Sequence, residues 1–272
     1  MAVLADQGVA ARRRVAARHN LTDTGRGPVL VFAHGFGCDQ TMWQFVTPAF
    51  ADCRTVLYDL VGSGGSDLAA YSPGRYASLE AHAEDLLGIC EALELRDVVF
   101  VGHSVAATIG MIAAAAAPDR FRSLVLVAPS PRYMDDAGYV GGLTRESVEE
   151  FLIFLDQNPL GWANLMAPVI MGNTDRPELS SRLARSFCRT DPAILSHFAR
   201  VTFLGDHRGL LPRVTTPSLI LQCARDAVAP PEVGRFMART MPAARLVELG
   251  ATGHCPHLSA PEEVASAIRS VL

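Results

Sequence analysis

The chain has 272 residues, of which 49% are hydrophobic and 19% are charged. This composition is typical of an ordinary globular protein and excludes a disordered, collagen-like or coiled-coil chain. Acidic residues outnumber basic residues by 28 to 24, and the formal charge of −4 provides no electrostatic footprint for nucleic acid or for an anionic membrane. We therefore expect a globular protein whose partners include neither.

The cysteines and residues 1–20 indicate the cellular compartment to expect for this protein. The six cysteines are scattered without a CxxC pair, so the sequence predicts neither a zinc site nor a redox motif. Residues 1–20 contain a triple arginine at 12–14 with no apolar segment after it, which argues against a signal peptide and indicates a solvated tail. Apolar residues never continue for the roughly 18 positions that a membrane span needs. The sequence thus predicts a cytoplasmic location.

Short apolar runs, rich in β-branched residues and bounded by turn residues, recur along the chain. Their hydrophobicity is nearly continuous rather than alternating, which indicates strands buried on both faces, as in a parallel sheet. Helical patterns lie between them, so we predict an α/β fold with a mostly parallel central sheet flanked by helices. The predicted strands are 29–33, 55–58, 98–101, 124–127, 219–222 and, more weakly, 245–249.

The alternation of strand and helix stops between residues 135 and 211, where no strand-like run occurs. Four helical segments separated by Pro, Gly and Asn take its place. We interpret residues 1–134 and 212–272 as the core and residues 135–211 as a helical lid inserted into it. The predicted lid helices are near 145–155, 162–171, 178–187 and 192–203.

The strongest chemical signal is the sequence around Ser104. The apolar strand at 98–101 leads through Gly102 to Ser104 and directly into a helix. This pattern predicts a nucleophile elbow, a sharp strand-to-helix turn that presents a serine hydroxyl above the sheet. The elbow needs small residues two positions before and two positions after the serine, and these are Gly102 and Ala106. Most elbows have a second glycine where this sequence has Ala106.

A serine nucleophile needs a base, and the base needs a carboxylate that orients it. On this fold the three groups follow the order serine, acid, histidine along the chain. Asp226 follows the predicted strand at 219–222, and His254 follows the one at 245–249. Because the carboxyl ends of parallel strands meet at one edge of the sheet, we predict Ser104, Asp226 and His254 as a catalytic triad.

An oxyanion hole would complete the site. The strand at 29–33 leads into His34-Gly35-Phe36-Gly37, a turn that directs the Phe36 N–H towards the serine. The second donor is expected from the N–H of Val105, the residue after the nucleophile. The glycine-rich stretch at 61–66 lacks the lysine of a phosphate-binding loop, and no His, Cys or carboxylate cluster has metal spacing. The sequence therefore implies no cofactor and no metal.

These motifs resemble those of a known family. His-Gly-Phe-Gly at 34–37, Gly-His-Ser-Val at 102–105 and Gly-His-Cys-Pro-His at 253–257 resemble the α/β-hydrolase family of RsbQ, a bacterial stress-response regulator. Plant karrikin and strigolactone receptors belong to the same family. The likeness extends from about residue 19 to the C-terminus and is closer to RsbQ than to the plant receptors. Segments 58–67, 130–136 and 206–208 also resemble the family.

The resemblance implies an α/β-hydrolase fold with a four-helix, V-shaped lid over a small hydrophobic pocket. It also implies Ser104, Asp226 and His254 as the triad. Leu143 and Met166 stand where the plant members frequently have phenylalanine. The pocket positions carried over from the family are Phe36, Leu143, Trp162, Met166 and Phe203.

Two functions of different classes follow. The first is a serine hydrolase that acts on small hydrophobic esters, lactones or similar carbonyl compounds through an acyl-enzyme, with a link to stress signalling. The second is a ligand-sensing regulator whose lid docks a partner protein, which for RsbQ is a phosphatase with a PAS domain. Haloperoxidase-like enzymes, hydroxynitrile lyases and carbon–carbon hydrolases keep the same triad and stay open, whereas a haloalkane dehalogenase would need Asp at position 104.

Overall fold

The computed structural model describes the backbone of residues 2–272 and the side chains of residues 8–272. Within that range seven strands form one sheet. They are β1 (Thr22–Thr24), β2 (Val29–Ala33), β3 (Arg54–Tyr58), β4 (Val98–His103), β5 (Phe121–Val127), β6 (Ser218–Arg225) and β7 (Ala244–Thr252). Their order across the sheet is β1-β3-β2-β4-β5-β6-β7, and every neighbouring pair is parallel except β1 with β3. The predicted α/β class and mostly parallel sheet are confirmed.

The interior strands are buried on both faces, as their continuous hydrophobicity predicted. All six residues of β4 are buried, and successive residues of β2 enter opposite cores, with Val31 in one cluster and Leu30 and Phe32 in the other. The antiparallel edge strand β1 was not predicted. Its sequence, Thr-Asp-Thr, is short and polar, so it carries no apolar pattern, and only pairing with β3 makes it a strand.

Helices cover both faces of the sheet. The predicted solvated tail at 12–14 is wrong in one respect, because these arginines are exposed but lie on a helix, and the Arg12 guanidinium is 2.6 Å from the Asp23 carboxylate. Short 3-10 helices span Gln40–Trp43, Thr47–Phe50, Leu68–Ala70, Pro118–Arg120 and Arg208–Arg213. The helices outside the lid region are α1 (Ala2–Arg18), α2 (Glu80–Ala92), α3 (Val105–Ala116), α8 (Pro231–Thr240), α9 (Pro256–Ser259) and α10 (Pro261–Arg269).

Four helices lie between β5 and β6, where the sequence predicted them. Three of them begin at side-chain caps, since Thr144, Asn158 and Asp191 each accept a backbone N–H of the first turn, whereas the helix that begins at Pro177 has no such cap. Packing pairs α5 with α6 and α4 with α7. The division into core and lid at residues 135 and 211 stays a prediction of domain organisation. The four helices are α4 (Arg145–Gln157), α5 (Pro159–Met171), α6 (Pro177–Arg189) and α7 (Pro192–Leu204).

Two further observations concern the environment of the chain. All six cysteines are free thiols, five of them buried and Cys188 exposed. Among the helices of the described residues, none combines the length with the apolar character that crossing a bilayer requires. The predicted cytoplasmic location stays a prediction.

Candidate active site

Ser104 occupies a strained turn between β4 and α3. Its backbone has φ 56° and ψ −123°, a conformation that L-residues rarely adopt, and its N–H donates to the Val127 carbonyl of β5 at 2.9 Å. A Cβ on Gly102 would lie 2.7 Å from the Ala106 carbonyl oxygen, so only glycine fits where strand and helix approach. The predicted elbow geometry is therefore present around Ser104.

The three predicted triad side chains lie in hydrogen-bonding order. The distance from Ser104 Oγ to His254 Nε2 is 2.8 Å, and His254 Nδ1 is 2.7 Å from Asp226 Oδ2. The other carboxylate oxygen of Asp226 accepts the backbone N–H groups of Val228 and Ala229 at 2.8 and 3.1 Å. With both oxygens engaged, the carboxylate orients the imidazole so that Nδ1 carries the proton and Nε2 faces the serine hydroxyl.

His254 is held in place through its backbone from two directions. Its N–H donates to the Ile170 carbonyl at the end of α5, and its own carbonyl accepts from His103 Nε2, both at 2.8 Å. The preceding Gly253 has φ 89°, and a Cβ there would lie 1.8 Å from the Met171 carbonyl oxygen. The loop that carries His254 thus joins the end of a lid helix to the histidine beside the nucleophile.

The turn after β2 lies against the serine. A Cβ on Gly35 would be 3.3 Å from the Ser104 Cβ and 2.5 Å from His103 Nδ1, so glycine is required for this close approach. Within the described part of the chain, neither the Phe36 N–H nor the Val105 N–H donates to a protein acceptor. Val105 begins α3, and the first N–H groups of a helix have no intrahelical partner. Both N–H groups are therefore without a protein acceptor in the described residues, and their role as an oxyanion hole stays a prediction.

A cavity of about 380 Å³ opens above Ser104 and His254 and is lined mostly by apolar side chains. The Phe36 ring meets Trp162 and Phe203 edge-on, at centroid distances of 6.2 and 5.5 Å. All five predicted pocket positions contribute to the lining, and α4, α5 and α6 add further residues. The lining residues that sequence reasoning did not single out include Phe151, Phe154, Ile170, Leu183, Phe187 and Val228.

Comparison with known proteins identifies the family. The alpha/beta hydrolase family model matches residues 30–267. The chain belongs to the alpha/beta hydrolase family.

Relatives and solved structures agree with this membership and confirm the predicted α/β-hydrolase fold. A probable esterase from Oryza sativa subsp. japonica is 37% identical over 92% of this chain and 94% of its own. Karrikin insensitive 2 receptor CA from Petunia hybrida is 34% identical, with coverage of 92% and 94%. The structure of a hydrolase from Oleispira antarctica is similar, with a TM-score of 0.93, 41% identity and coverage of 96% of this chain and 97% of that one.

A further residue of this alpha/beta hydrolase, in hydrogen-bonding distance of the serine, was not predicted from the sequence. The Tyr133 hydroxyl lies 3.0 Å from Ser104 Oγ. With the serine proton donated to His254, Tyr133 is left as the donor to Ser104 Oγ. Burial raises the pKa of Tyr133 well above its usual value, so its hydroxyl keeps its proton. The residue lies within the segment 130–136 noted for its family likeness, but no spacing rule connects a loop tyrosine with the serine.

One group of side chains in this hydrolase resembles a set of metal ligands. The ligand-type atoms of His103, Cys255 and His257 lie within 4.8 Å of one another, and all three residues are buried. His103 Nε2 already donates to a backbone carbonyl, and the Gly35 backbone packs against its Nδ1. His257 packs against Trp43, with ring centroids 4.7 Å apart. The three side chains are therefore packed as part of the buried core.

Proposed function

We propose that the protein is a serine hydrolase that cleaves small, largely apolar esters or lactones through an acyl-enzyme intermediate. The observation that carries this proposal is the chain of hydrogen bonds from Asp226 through His254 to Ser104, which ends at the floor of an apolar cavity. A hydrogen-bonded serine, histidine and carboxylate is the arrangement that activates a serine for acyl transfer.

In the acylation step, Ser104 Oγ attacks the carbonyl carbon while His254 Nε2 takes the hydroxyl proton. Asp226 stabilises the imidazolium that forms, since its Oδ2 accepts the Nδ1 proton. The Phe36 and Val105 N–H groups bind the oxygen on which negative charge develops. Collapse of the tetrahedral intermediate breaks the bond to the alcohol oxygen, which leaves with the proton from His254.

Deacylation repeats these steps with water as the nucleophile. His254 Nε2 removes a proton from water, the resulting hydroxide attacks the acyl carbon, and the proton returns to Ser104 Oγ as the acid leaves. Tyr133 donates a hydrogen bond to Ser104 Oγ, which stabilises negative charge on this oxygen when the serine is the leaving group. Apart from water, the sequence of steps needs no other reactant.

The cavity supports the substrate class. Its volume of about 380 Å³ suits a small molecule, and its aromatic and aliphatic lining favours an apolar one. The names of two relatives also support an ester or lactone as the substrate. One is a probable esterase, and the other is a strigolactone esterase from Arabidopsis thaliana that is 34% identical to this chain.

Mass spectrometry after incubation with small aryl esters and butenolides tests the proposal. We expect an acyl adduct on Ser104 in the wild-type protein and its absence in Ser104→Ala. A variant that hydrolyses these compounds as fast as the wild type would show that the nucleophile is another group.

A second candidate is a ligand-gated regulator that docks a partner through its lid. This candidate is supported by four large apolar side chains on α4 and α5, each of which is half exposed or more. They are Ile153, Leu160, Leu165 and Val169. A relative named as a karrikin receptor adds to it. The partner expected from the likeness to RsbQ is a PAS-domain phosphatase, with a role in stress signalling.

Binding of such a phosphatase, measured by calorimetry with and without a cavity ligand, tests this candidate. We expect ligand-dependent binding that Leu165→Glu abolishes, because the substitution places a charge on the exposed face. Binding that is unaffected by both the ligand and the substitution would refute lid docking.

A further inference from the structure

The cavity lining contains one carboxylate. Among its described residues Glu150 is the sole acidic side chain, and no arginine accompanies it. The remaining polar lining groups are Ser147 and the catalytic-site residues Ser104, His103 and His254, together with two cysteines. A charged group in a mostly apolar lining calls for an explanation, because apolar walls disfavour every charged ligand through the cost of desolvation but do not distinguish an anion from a cation.

Glu150 belongs to the face of α4 that meets the cavity. Ser147, Glu150, Phe151 and Phe154 all line the cavity, and their three- and four-residue spacing places them along one face of the helix. Glu150 is exposed, as are the lining residues Val169 and Ala227. The exposed lining residues mark where the cavity meets solvent, so Glu150 lies at the mouth.

The charge of Glu150 is not neutralised by a neighbour. Glu149, the adjacent residue, lies 3.9 Å from the Arg145 guanidinium, whereas Glu150 forms no ion pair with any residue from 8 to 272. An unpaired charge beside low-dielectric walls produces a field that extends into the opening. Any charged ligand that enters must pass this field.

We propose that Glu150 determines substrate charge specificity, so that the site accepts neutral or cationic esters and lactones and disfavours those that carry a carboxylate. This inference rests on the proposed hydrolase function and narrows its substrate class. The same repulsion weakens the binding of carboxylate products at the mouth, which limits their inhibition of the enzyme.

The kinetic test compares three aryl acetates that differ in charge at the para position: 4-acetoxybenzoate, 4-acetoxybenzamide and 4-acetoxy-N,N,N-trimethylanilinium. In Glu150→Gln we expect kcat/KM for the anion, relative to the neutral amide, to rise about fivefold, the effect of two unit charges a few ångströms apart in an aqueous opening. The relative kcat/KM for the cation falls by a similar factor. Both changes shrink as salt is raised from about 0.01 to 0.5 M, because salt screens exposed charges.

Glu149→Gln is the matched control, since it removes the same charge from the same helix at a residue that does not line the cavity. We expect it to leave all three relative rates within about twofold of the wild type. Equal ratios in Glu150→Gln and the wild type, or equal changes in the two variants, would overturn the proposal.

A binding measurement separates this inference from the hydrolase function. Calorimetric dissociation constants of hexanoate and hexanamide require no turnover, and in Glu150→Gln we expect that of hexanoate alone to fall about fivefold. If Ser104→Ala hydrolyses the neutral acetate as fast as the wild type, the proposal that Ser104 is the nucleophile of a hydrolase fails. The binding measurement then still tests whether Glu150 disfavours carboxylate ligands. If hydrolysis requires Ser104 and hexanoate binding does not change in Glu150→Gln, the Glu150 proposal alone fails.

Discussion

The sheet edge that holds Ser104, Asp226 and His254 and the lid over it contribute to the proposed site in different ways. At the edge, each residue of the proposed triad follows the end of a strand and is fixed by backbone geometry, as in the positive φ of Ser104 and the two N–H bonds to Asp226. The lid contributes side chains that shape the cavity, most of them apolar. The core therefore carries the proposed chemistry, whereas the four helices between β5 and β6 shape much of the cavity above it.

The two regions meet at the loop of His254. The Ile170 carbonyl lies at the end of α5, where a helix leaves carbonyls without partners, and it accepts the His254 N–H. Gly253 makes this contact possible, since any side chain there would overlap the Met171 carbonyl. The position of the proposed base therefore depends on the lid as well as on the sheet.

The largest effect on activity is expected from replacing Ser104, the proposed nucleophile. Ser104→Ala removes the attacking oxygen without changing the packing around the elbow, so kcat should fall by about 10⁴-fold or more. Thermal unfolding of the variant should stay within a few degrees of the wild type. Steady-state kinetics with an aryl acetate measures the loss, and a loss of less than tenfold would contradict the assignment of Ser104 as the nucleophile.

The next largest effect tests the junction between the two regions. Gly253→Ala combines a positive φ with a steric overlap, so we expect the free energy of unfolding to fall by on the order of 3 kcal/mol and kcat/KM to fall with it. Gly138→Ala is the matched control, because Gly138 has φ 74° but a Cβ added there would have no neighbouring atom within 4 Å. It should lose only about 1 kcal/mol. Equal losses in chemical denaturation would show that the contact with α5 is unimportant.

The pH dependence of the free energy of unfolding provides a third comparison, between a buried histidine beside the lid and one in the core. Burial lowers the pKa of His82, which packs on Phe198 of α7, and of His257, which packs on Trp43, to about 3 in each case. Between about pH 3 and 6.5 the unfolded chain binds more protons than the folded one. The free energy of unfolding is therefore fully retained above pH 6.5 and falls below it, by up to about 1.4 kcal/mol per pH unit for each histidine.

Denaturant unfolding between pH 5 and 7.5 measures this dependence. His82→Gln and His257→Gln should each flatten the slope, since each removes one group that takes up a proton on unfolding. A slope that neither substitution changes would mean that other groups govern acid stability.

The smallest effect concerns the lid alone. Met166→Ala enlarges the cavity at a half-buried position on α5, so we expect KM for an apolar ester to rise about fivefold with little change in kcat. Leu165→Ala is the control, because Leu165 is 59% exposed and does not line the cavity. A loss in kcat that exceeds the change in KM would show that this lid residue acts on the chemical step.

Much of the fold was predictable because its signals are local. Continuous apolar runs marked six strands, and Pro, Asn and Asp marked the starts of lid helices. The polar strand β1 was missed, because its pairing with β3 and not its composition makes it a strand. The triad order along the chain was predictable for a similar reason, since each member directly follows a recognisable strand.

Local sequence patterns were enough to predict that Ser104, Asp226 and His254 lie together and which strand ends carry them. Hydrophobicity and turn residues suffice for this, because parallel strands bring their carboxyl ends to one edge. Three-dimensional packing alone established the proximity of Tyr133 to Ser104, the hydrogen bond between Ile170 and His254, and the place of Glu150 at the cavity mouth. These contacts join segments distant in sequence, and their distances depend on how the lid packs on the sheet, which no local pattern encodes.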